Sequence, residues 1–309
     1  MALEAGIAAY VAALQNEMTG APAAVTPDDR RRWFAIRGDR FRLPLPEGLD
    51  IVDDFICASG REIPVRRYRP TGAGRPPVVV YFHGGGWVAG SIATHEMLTA
   101  VIAVETGAEV VSVHYRRPPE NAYPAAFDDC VEAVRWVADF RDVLSVDADR
   151  IVVAGDSAGG NLAAAVAIAS RDGRAPEIRG QALIYPVLDV DVDRPSYRNA
   201  CDPFLLRDSM IYYWNAYLQG RLQTNDPFAV PMRVPSFSGL ARAYVLAADH
   251  DVLLDEAVDY AERLAAAGVA TELRIVEGTM HGFLRARAYS EVARTEMTAM
   301  CRWVRARLA

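Results

Sequence analysis

The chain has 309 residues, 51 % of them apolar, with a net charge of −7 and an isoelectric point near 5.3. An acidic balance of this size lacks the electrostatic footprint of a binder of nucleic acid or of an anionic membrane, and it suits a neutral or small partner. All 33 basic residues are arginine, so Schiff-base and PLP chemistry, a P-loop lysine, a kinase lysine and a Ser-x-x-Lys nucleophile pair are excluded together.

In chain order, residues 1–45 read as helical and then irregular. An apolar stretch runs to Asn16, and Thr26-Pro27 gives an N-cap followed by proline at the first helical position. The opening MALEAGIAAYVAALQ carries Glu4 where a secretory leader has a basic region, so a helix is expected there instead of a signal peptide. No run approaches the ~18 apolar residues of a membrane span. Cys57, Cys130, Cys201 and Cys301 lie at long spacings that suggest neither a zinc site nor a disulfide framework, and a reducing, cytoplasmic setting follows as the expectation.

From Ile51 the chain reads as two strands, IVDDFICA and IPVRRYRP, then VVVYF, a helical span near His95–Thr106, and the strand AEVVSVHY. The helix DDCVEAVRWVADF leads to the strand RIVVAGD, the helix NLAAAVAIAS and the strand GQALIYPVL. The last third repeats the alternation with ARAYVLAA, LLDEAVDYAERLAAAG, TELRIVEG and a closing helix SEVARTEMTAMCRWVRARL. Apolar, β-branched strands alternating with helices of about a dozen residues predict a parallel sheet covered on both faces. The alternation lapses between Asp189 and Ser238 into an aromatic-rich, helical insertion. The expected organisation is therefore an α/β domain in two parts, 46–188 and 239–309, with residues 1–45 and 189–238 forming a helical cap over the carboxyl ends of the strands.

Open α/β sheets place their functional crevice at those carboxyl ends. The strand-end residues are His83-Gly84-Gly85-Gly86, Tyr115-Arg116, Asp156-Ser157-Ala158, Asp249-His250-Asp251 and Met280-His281-Gly282, so a nucleophile, an acid and a base share one rim. The stretch GDSAGGN fits a sharp strand-to-helix turn with the Ser157 hydroxyl held in the open. A serine needs a base oriented by a carboxylate. In the Ser, acid, His order of a G-x-S-x-G elbow the base comes late, which leaves His250 or His281, and the glycine-flanked loop of His281 favours the latter. For the acid, spacing leaves Asp249 and Asp251 level, since Asp251 also suits capping of the next helix, while Asp255 falls one turn too far round. The HGGGW loop and the amide opening the helix after Ser157 supply candidate oxyanion donors. As a phosphate cradle HGGGW fails, because it does not match G-x-G-x-x-G.

With HGGGW, GDSAGGN, DVLLDE and MHGF in this order, the sequence resembles the bacterial hormone-sensitive-lipase-like esterases of the α/β-hydrolase fold. The likeness runs from about Ile51 to the C-terminus. It implies a mostly parallel central sheet flanked by helices, a two-part helical cap, and Ser157, Asp251 and His281 as nucleophile, acid and base, which breaks the tie between the aspartates. It further implies an oxyanion hole of the Gly85, Gly86 and Ala158 amides, no cofactor or metal, and hydrolysis of short- to medium-chain carboxylic esters. The stretch Tyr115–Glu120 (YRRPPE) resembles the family's YRLAPE. Val252 replaces the family's usual proline in DVLLDE, and Arg117 and Pro119 depart from its YRLAPE, changes that bear on loop geometry and leave the triad positions intact. Family members are often dimers, which implies a homodimer. Trp87, Phe204, Leu205, Tyr212, Trp214 and Phe283 are the candidate pocket walls, weighed against ordinary core packing. Two other functions stay open: an amidase or lactonase with the same triad, and a ligand receptor such as the plant gibberellin receptor, which has this fold and lacks the base.

Overall fold

A computed structural model describes residues 2–19, 26–58 and 60–309. Met1, residues 20–25 and Ser59 lie outside the described residues, so the expected 1–45 segment is characterised through its two helices, α1 (Ala5–Met18) and α2 (Pro27–Arg40). Thr26 caps α2 through a reciprocal pair with Asp29, and Pro27 opens it, as the sequence predicts. β1 (Leu49–Ala58) and β2 (Arg61–Pro70) form an antiparallel pair. They are followed by β3 (Pro77–Phe82), α3 (Ile92–Thr106), β4 (Glu109–Val113), α4 (Ala125–Asp139), β5 (Asp147–Asp156), α5 (Ala158–Arg171) and β6 (Gly180–Ile184). The single turn α6 (Pro195–Asn199) and α7 (Arg207–Leu218) fall in the insertion, and β7 (Ala243–Ala248), α8 (Leu254–Ala266), β8 (Thr271–Val276) and α9 (Glu291–Leu308) complete the chain.

Among the described residues the strands make one eight-stranded sheet in the order β1-β2-β4-β3-β5-β6-β7-β8. β3 to β8 run parallel, and β2 meets β4 antiparallel. The alternation of side chains along each strand divides the core into two layers. Val78, Val80 and Phe82 of β3 face a layer with residues of α4, α5 and α8, while Val79 and Tyr81 face one with residues of α1, α3 and α9. Helices on both faces leave the carboxyl ends of β3, β5, β7 and β8 as the accessible rim.

The insertion is less helical than its sequence suggests, since residues 219–230 and 234–238 have no helix. It is held by buried polar contacts instead. Asp255 accepts from the Ser196 amide at 2.8 Å, and the Ser196 hydroxyl donates to the Val252 carbonyl at 2.6 Å. Helix α2 buries no residue of its own, yet Arg31 ties it down by donating to the Val88 and Pro118 carbonyls, each at 3.0 Å, and to Glu120. That pairing holds the Glu120 carboxyl down at about 2. The Arg30 guanidinium lies 4.0 Å from the Tyr212 ring centroid, so α2 and α7 meet over the rim.

Candidate active site

Ser157 sits between β5 and α5 at φ +56° and ψ −119°, a conformation a side-chain-bearing residue adopts only when its surroundings impose it. Its amide donates to the Ile184 carbonyl at 2.8 Å and its carbonyl accepts from the Val187 amide at 3.2 Å, which pins the turn to the end of β6. A Cβ at Gly159 would collide with the Phe82 carbonyl, so only glycine lets α5 start this close to β3. The backbone thereby lifts the Ser157 hydroxyl clear of the sheet.

His281 Nε2 lies 2.9 Å from the Ser157 hydroxyl oxygen, and its Nδ1 lies 2.6 Å from an Asp251 carboxylate oxygen. The carboxylate requires the Nδ1 proton, which leaves the Nε2 lone pair to accept from the serine. Asp251 is 1 % exposed, and its other oxygen accepts from the Leu253 amide at 3.0 Å. It therefore stabilises the turn ahead of α8 while serving the imidazole, and α8 itself starts without a side-chain cap. Asp249 is turned away, accepting from the Gly278 and Thr279 amides at 3.0 and 2.9 Å, and so braces the loop carrying His281. This geometry separates two aspartates that spacing left level. His250 lies 3.7 Å from Asp249, and its Nε2 makes no hydrogen bond.

Burial disfavours a charged His281, but Asp251, by charge and hydrogen bond, and then Asp202 and Asp156 outweigh it, so its pKa is raised above the ordinary histidine value. Asp202, in the insertion, was not among the candidates from sequence. It is 5 % exposed and accepts from the His281 amide at 2.7 Å and from the Phe204 and Leu205 amides at 2.8 Å each. Burial and the neighbouring Asp251 charge raise its pKa despite those three donors. No sequence motif marks Asp202 as part of the site, because the partner that links it to the base, His281, lies 79 residues away in the chain.

Tyr115 donates its hydroxyl to the His83 carbonyl at 2.6 Å, and Arg117 donates to the Gly90 carbonyl at 2.6 Å, so the YRRPPE stretch fixes both ends of the HGGGW loop. A second acid and imidazole, Asp156 and His95, lie 3.3 Å apart behind that loop. Asp156 accepts from the Tyr81 hydroxyl at 2.7 Å and the Gly84 amide at 2.9 Å. His95 Nε2 accepts from Gly84 and Arg285, so this pair supports the loop and does not reach the Ser157 hydroxyl. Burial opposes the Asp156 charge, yet His95, Arg285 and Tyr81 hold its pKa well below the carboxylate range. Among the described residues the Gly85, Gly86 and Ala158 amides donate to no protein acceptor, and Gly85 and Gly86 line the same cavity as Ser157 and His281.

That cavity measures about 210 Å³, and Phe204 and Leu205 line it. Trp87, Tyr212, Trp214 and Phe283 do not, which corrects their assignment as pocket walls. Trp87 and Trp214 are 0 and 1 % exposed. Trp87 stacks on Tyr217 at 4.2 Å, with Trp214 4.7 Å from it, locking the oxyanion loop to α7. Phe283 is buried in the layer shared with the closing helix, and Tyr212, half-buried, packs against the Arg30 guanidinium. One residue of helical rotation puts Tyr213 in the cavity in place of Tyr212. The N-terminal segment contributes Tyr10, Phe34 and Phe41, a wall whose placement no local pattern foretells.

An eight-stranded hydrolase sheet with a serine elbow, a late acid and a later histidine defines a class, and the chain belongs to it: the α/β-hydrolase-fold family model matches residues 79–285. The chain is 42 % identical over 229 residues to carboxylesterase NlhH of Mycobacterium tuberculosis, covering 72 % of each. It is 33 % identical over 298 residues to the ethyl acetate hydrolase of Pseudomonas putida, covering 92 % of this chain and 93 % of that one. Among solved structures, a thermostable esterase from Pseudomonas putida superposes with a TM-score of 0.93 at 31 % identity, over 100 % of this chain and 98 % of the other. No helix among the described residues is long and apolar enough to cross a membrane.

Proposed function

We propose that this protein is a serine carboxylesterase acting on short- to medium-chain esters. The observation that carries the reading is the continuous hydrogen-bonded chain from Asp251 through His281 to Ser157, opening beside unoccupied amides in a small cavity. His281 Nε2 takes the Ser157 proton as the oxygen attacks the ester carbonyl, and the negative charge forming on the carbonyl oxygen is met by the Gly85, Gly86 and Ala158 amides. The same Nε2 proton then passes to the departing alcohol, and a water activated by His281 releases the acid from Ser157. Each amide aimed at the oxyanion contributes on the order of 10²–10³ in rate.

A volume of about 210 Å³ is below the ~300–1,000 Å³ of sites for drug-sized ligands and fits small acyl groups. Phe34 and Phe41 of the N-terminal segment and Phe204, Leu205 and Tyr213 of the insertion close it from above, which supports a two-part cap formed by residues 1–45 and 189–238. The esterase names of the relatives and structural neighbours agree with this chemistry. All four cysteines are free, two of them exposed, in keeping with a reducing compartment such as the cytoplasm. A His281 within reach of Ser157 weighs against the receptor reading.

Hydrolysis of p-nitrophenyl acetate, butyrate, octanoate and palmitate by the wild type and by Ser157→Ala tests the proposal. The expected result is turnover of the short esters and a loss of several orders of magnitude in the variant. Equal activity in a folded Ser157→Ala protein would overturn it.

A further inference from the structure

The Gly86 amide, in the wall of the Ser157 cavity, shares its peptide unit with the Gly85 carbonyl. That carbonyl accepts from the Ala89 amide at 2.8 Å, in a turn so tight that a Cβ at Gly85 would meet the Ala89 carbonyl. The Ala89 amide in turn shares its peptide unit with the Val88 carbonyl, which accepts from Nε of Arg31 at 3.0 Å. One line of hydrogen bonds therefore runs from a guanidinium on α2, through two peptide units, to an oxyanion donor. A bond at the carbonyl polarises a peptide unit and strengthens donation from its N–H, by roughly 10–30 % per bond.

Arg31 is held in one orientation by the rest of its fork. Nη1 and Nη2 reach the two Glu120 oxygens at 2.8 and 2.6 Å, Nη2 also donates to the Pro118 carbonyl at 3.0 Å, and Nη1 touches Asp28 at 3.1 Å. Glu120 and Asp28 offset the Arg31 charge, so what reaches Val88 is chiefly a fixed, aimed donor. The other arginine on this loop lacks the continuation: Arg117 donates to the Gly90 carbonyl, but the Ser91 amide of that peptide goes to the Thr94 hydroxyl at 2.9 Å, toward α3. We infer that Arg31 is a positioning residue for ester hydrolysis, which through the Val88–Ala89 and Gly85–Gly86 peptide units orients and polarises the Gly86 donor. Docking of α2 thereby sets the strength of the oxyanion hole, although Arg31 touches no reacting atom. The inference rests on the esterase reading for the role of Gly86, whereas the coupling is a property of the loop.

The test compares the wild type with Arg31→Met, Arg31→Lys, Glu120→Gln and, as a control that trims only an exposed contact, Asp28→Asn, with p-nitrophenyl butyrate as substrate. Because α2 buries no residue of its own, Arg31→Met leaves the core intact, and melting temperatures check that each variant is folded. A donor that acts in the transition state changes kcat and leaves KM alone. Arg31→Met should therefore lower kcat about tenfold, short of the 10²–10³ for outright loss of an oxyanion donor, with KM kept within about twofold. Arg31→Lys should recover part of the loss, Glu120→Gln should fall between, and Asp28→Asn should match the wild type. The Ki of trifluoromethyl butyl ketone, whose adduct with Ser157 carries an oxyanion, should rise by the factor by which kcat/KM falls. The Gly86 amide proton resonance of isotope-labelled protein gives a readout independent of turnover, and it should move upfield in Arg31→Met and stay in place in Asp28→Asn. An unmoved Gly86 resonance with wild-type kcat, or a raised KM at full kcat, would overturn the coupling and leave the esterase reading standing. A wild type inert on every ester, with the Gly86 resonance moved in Arg31→Met, would overturn the esterase reading and keep the coupling.

Discussion

Asp202→Asn is the substitution that probes the site most sharply, because this residue joins the insertion to the base without touching the reacting atoms. Its carboxylate accepts three backbone amides, from His281, Phe204 and Leu205. An asparagine side chain keeps one acceptor oxygen and turns an N–H₂ toward the donors, so a buried amide loses its partner. A hydrogen bond to a charged group contributes about 1.5–3 kcal/mol, and an unsatisfied buried donor costs about 1–3 kcal/mol. A stability loss of about 2–3 kcal/mol is expected, read as a lower urea midpoint at unchanged slope. The amide set free is that of His281 itself, and a misplacement near 1 Å at a catalytic group costs on the order of 10²-fold. We therefore expect kcat/KM on p-nitrophenyl butyrate to fall 10- to 100-fold. Removing the Asp202 charge also withdraws one of the forces raising the His281 pKa, so the acid limb of kcat/KM should move to lower pH. A variant with wild-type rate and an unmoved acid limb would refute the coupling, and a loss of stability alone would reduce Asp202 to a structural tie.

Activity requires neutral His281, so in the wild type kcat/KM should rise with pH through an inflection above the ordinary histidine value near 6.5, and an inflection below it would contradict the raised pKa. His114 behaves oppositely: burial, with Arg117, pushes its pKa to about 4. Between about pH 6.5 and 4 the unfolded chain then binds the proton that the folded one refuses, so stability falls as pH drops, by on the order of 3 kcal/mol in full for this group. Denaturant melts should accordingly show His114→Gln losing less stability than the wild type between pH 7 and pH 5. Gly86→Ala places a Cβ against the Tyr213 ring at φ +60°, so the oxyanion loop must shift, and a fall in kcat of at least 10²-fold is expected by steady-state kinetics. Trp214→Ala should cost about 3–5 kcal/mol by denaturant melt, whereas Leu205→Ala, at the cavity wall, should change acyl-chain preference in an ester series.

The sequence by itself determined the layers and the rim. Apolar β-branched strands alternating with helices admit few arrangements other than a parallel sheet covered twice, and strand ends are local, so Ser157 and His281 could be placed from their immediate neighbours. Choosing Asp251 over Asp249 needed either a family likeness or three dimensions, because two residues of spacing cannot tell which carboxylate turns toward an imidazole 30 residues away. The cavity wall was decided almost wholly by tertiary structure. Aromatic residues carry no mark of which way they face, so Trp87 and Trp214 became core while Tyr213 entered the cavity. Asp202 and Arg285 gain their meaning only from partners that folding brings to them. Local patterning fixes what a short segment buries against water. Which charge sits beside which hydroxyl depends on contacts between segments far apart in the chain, and those exist only once the sheet, the N-terminal helices and the insertion have packed together.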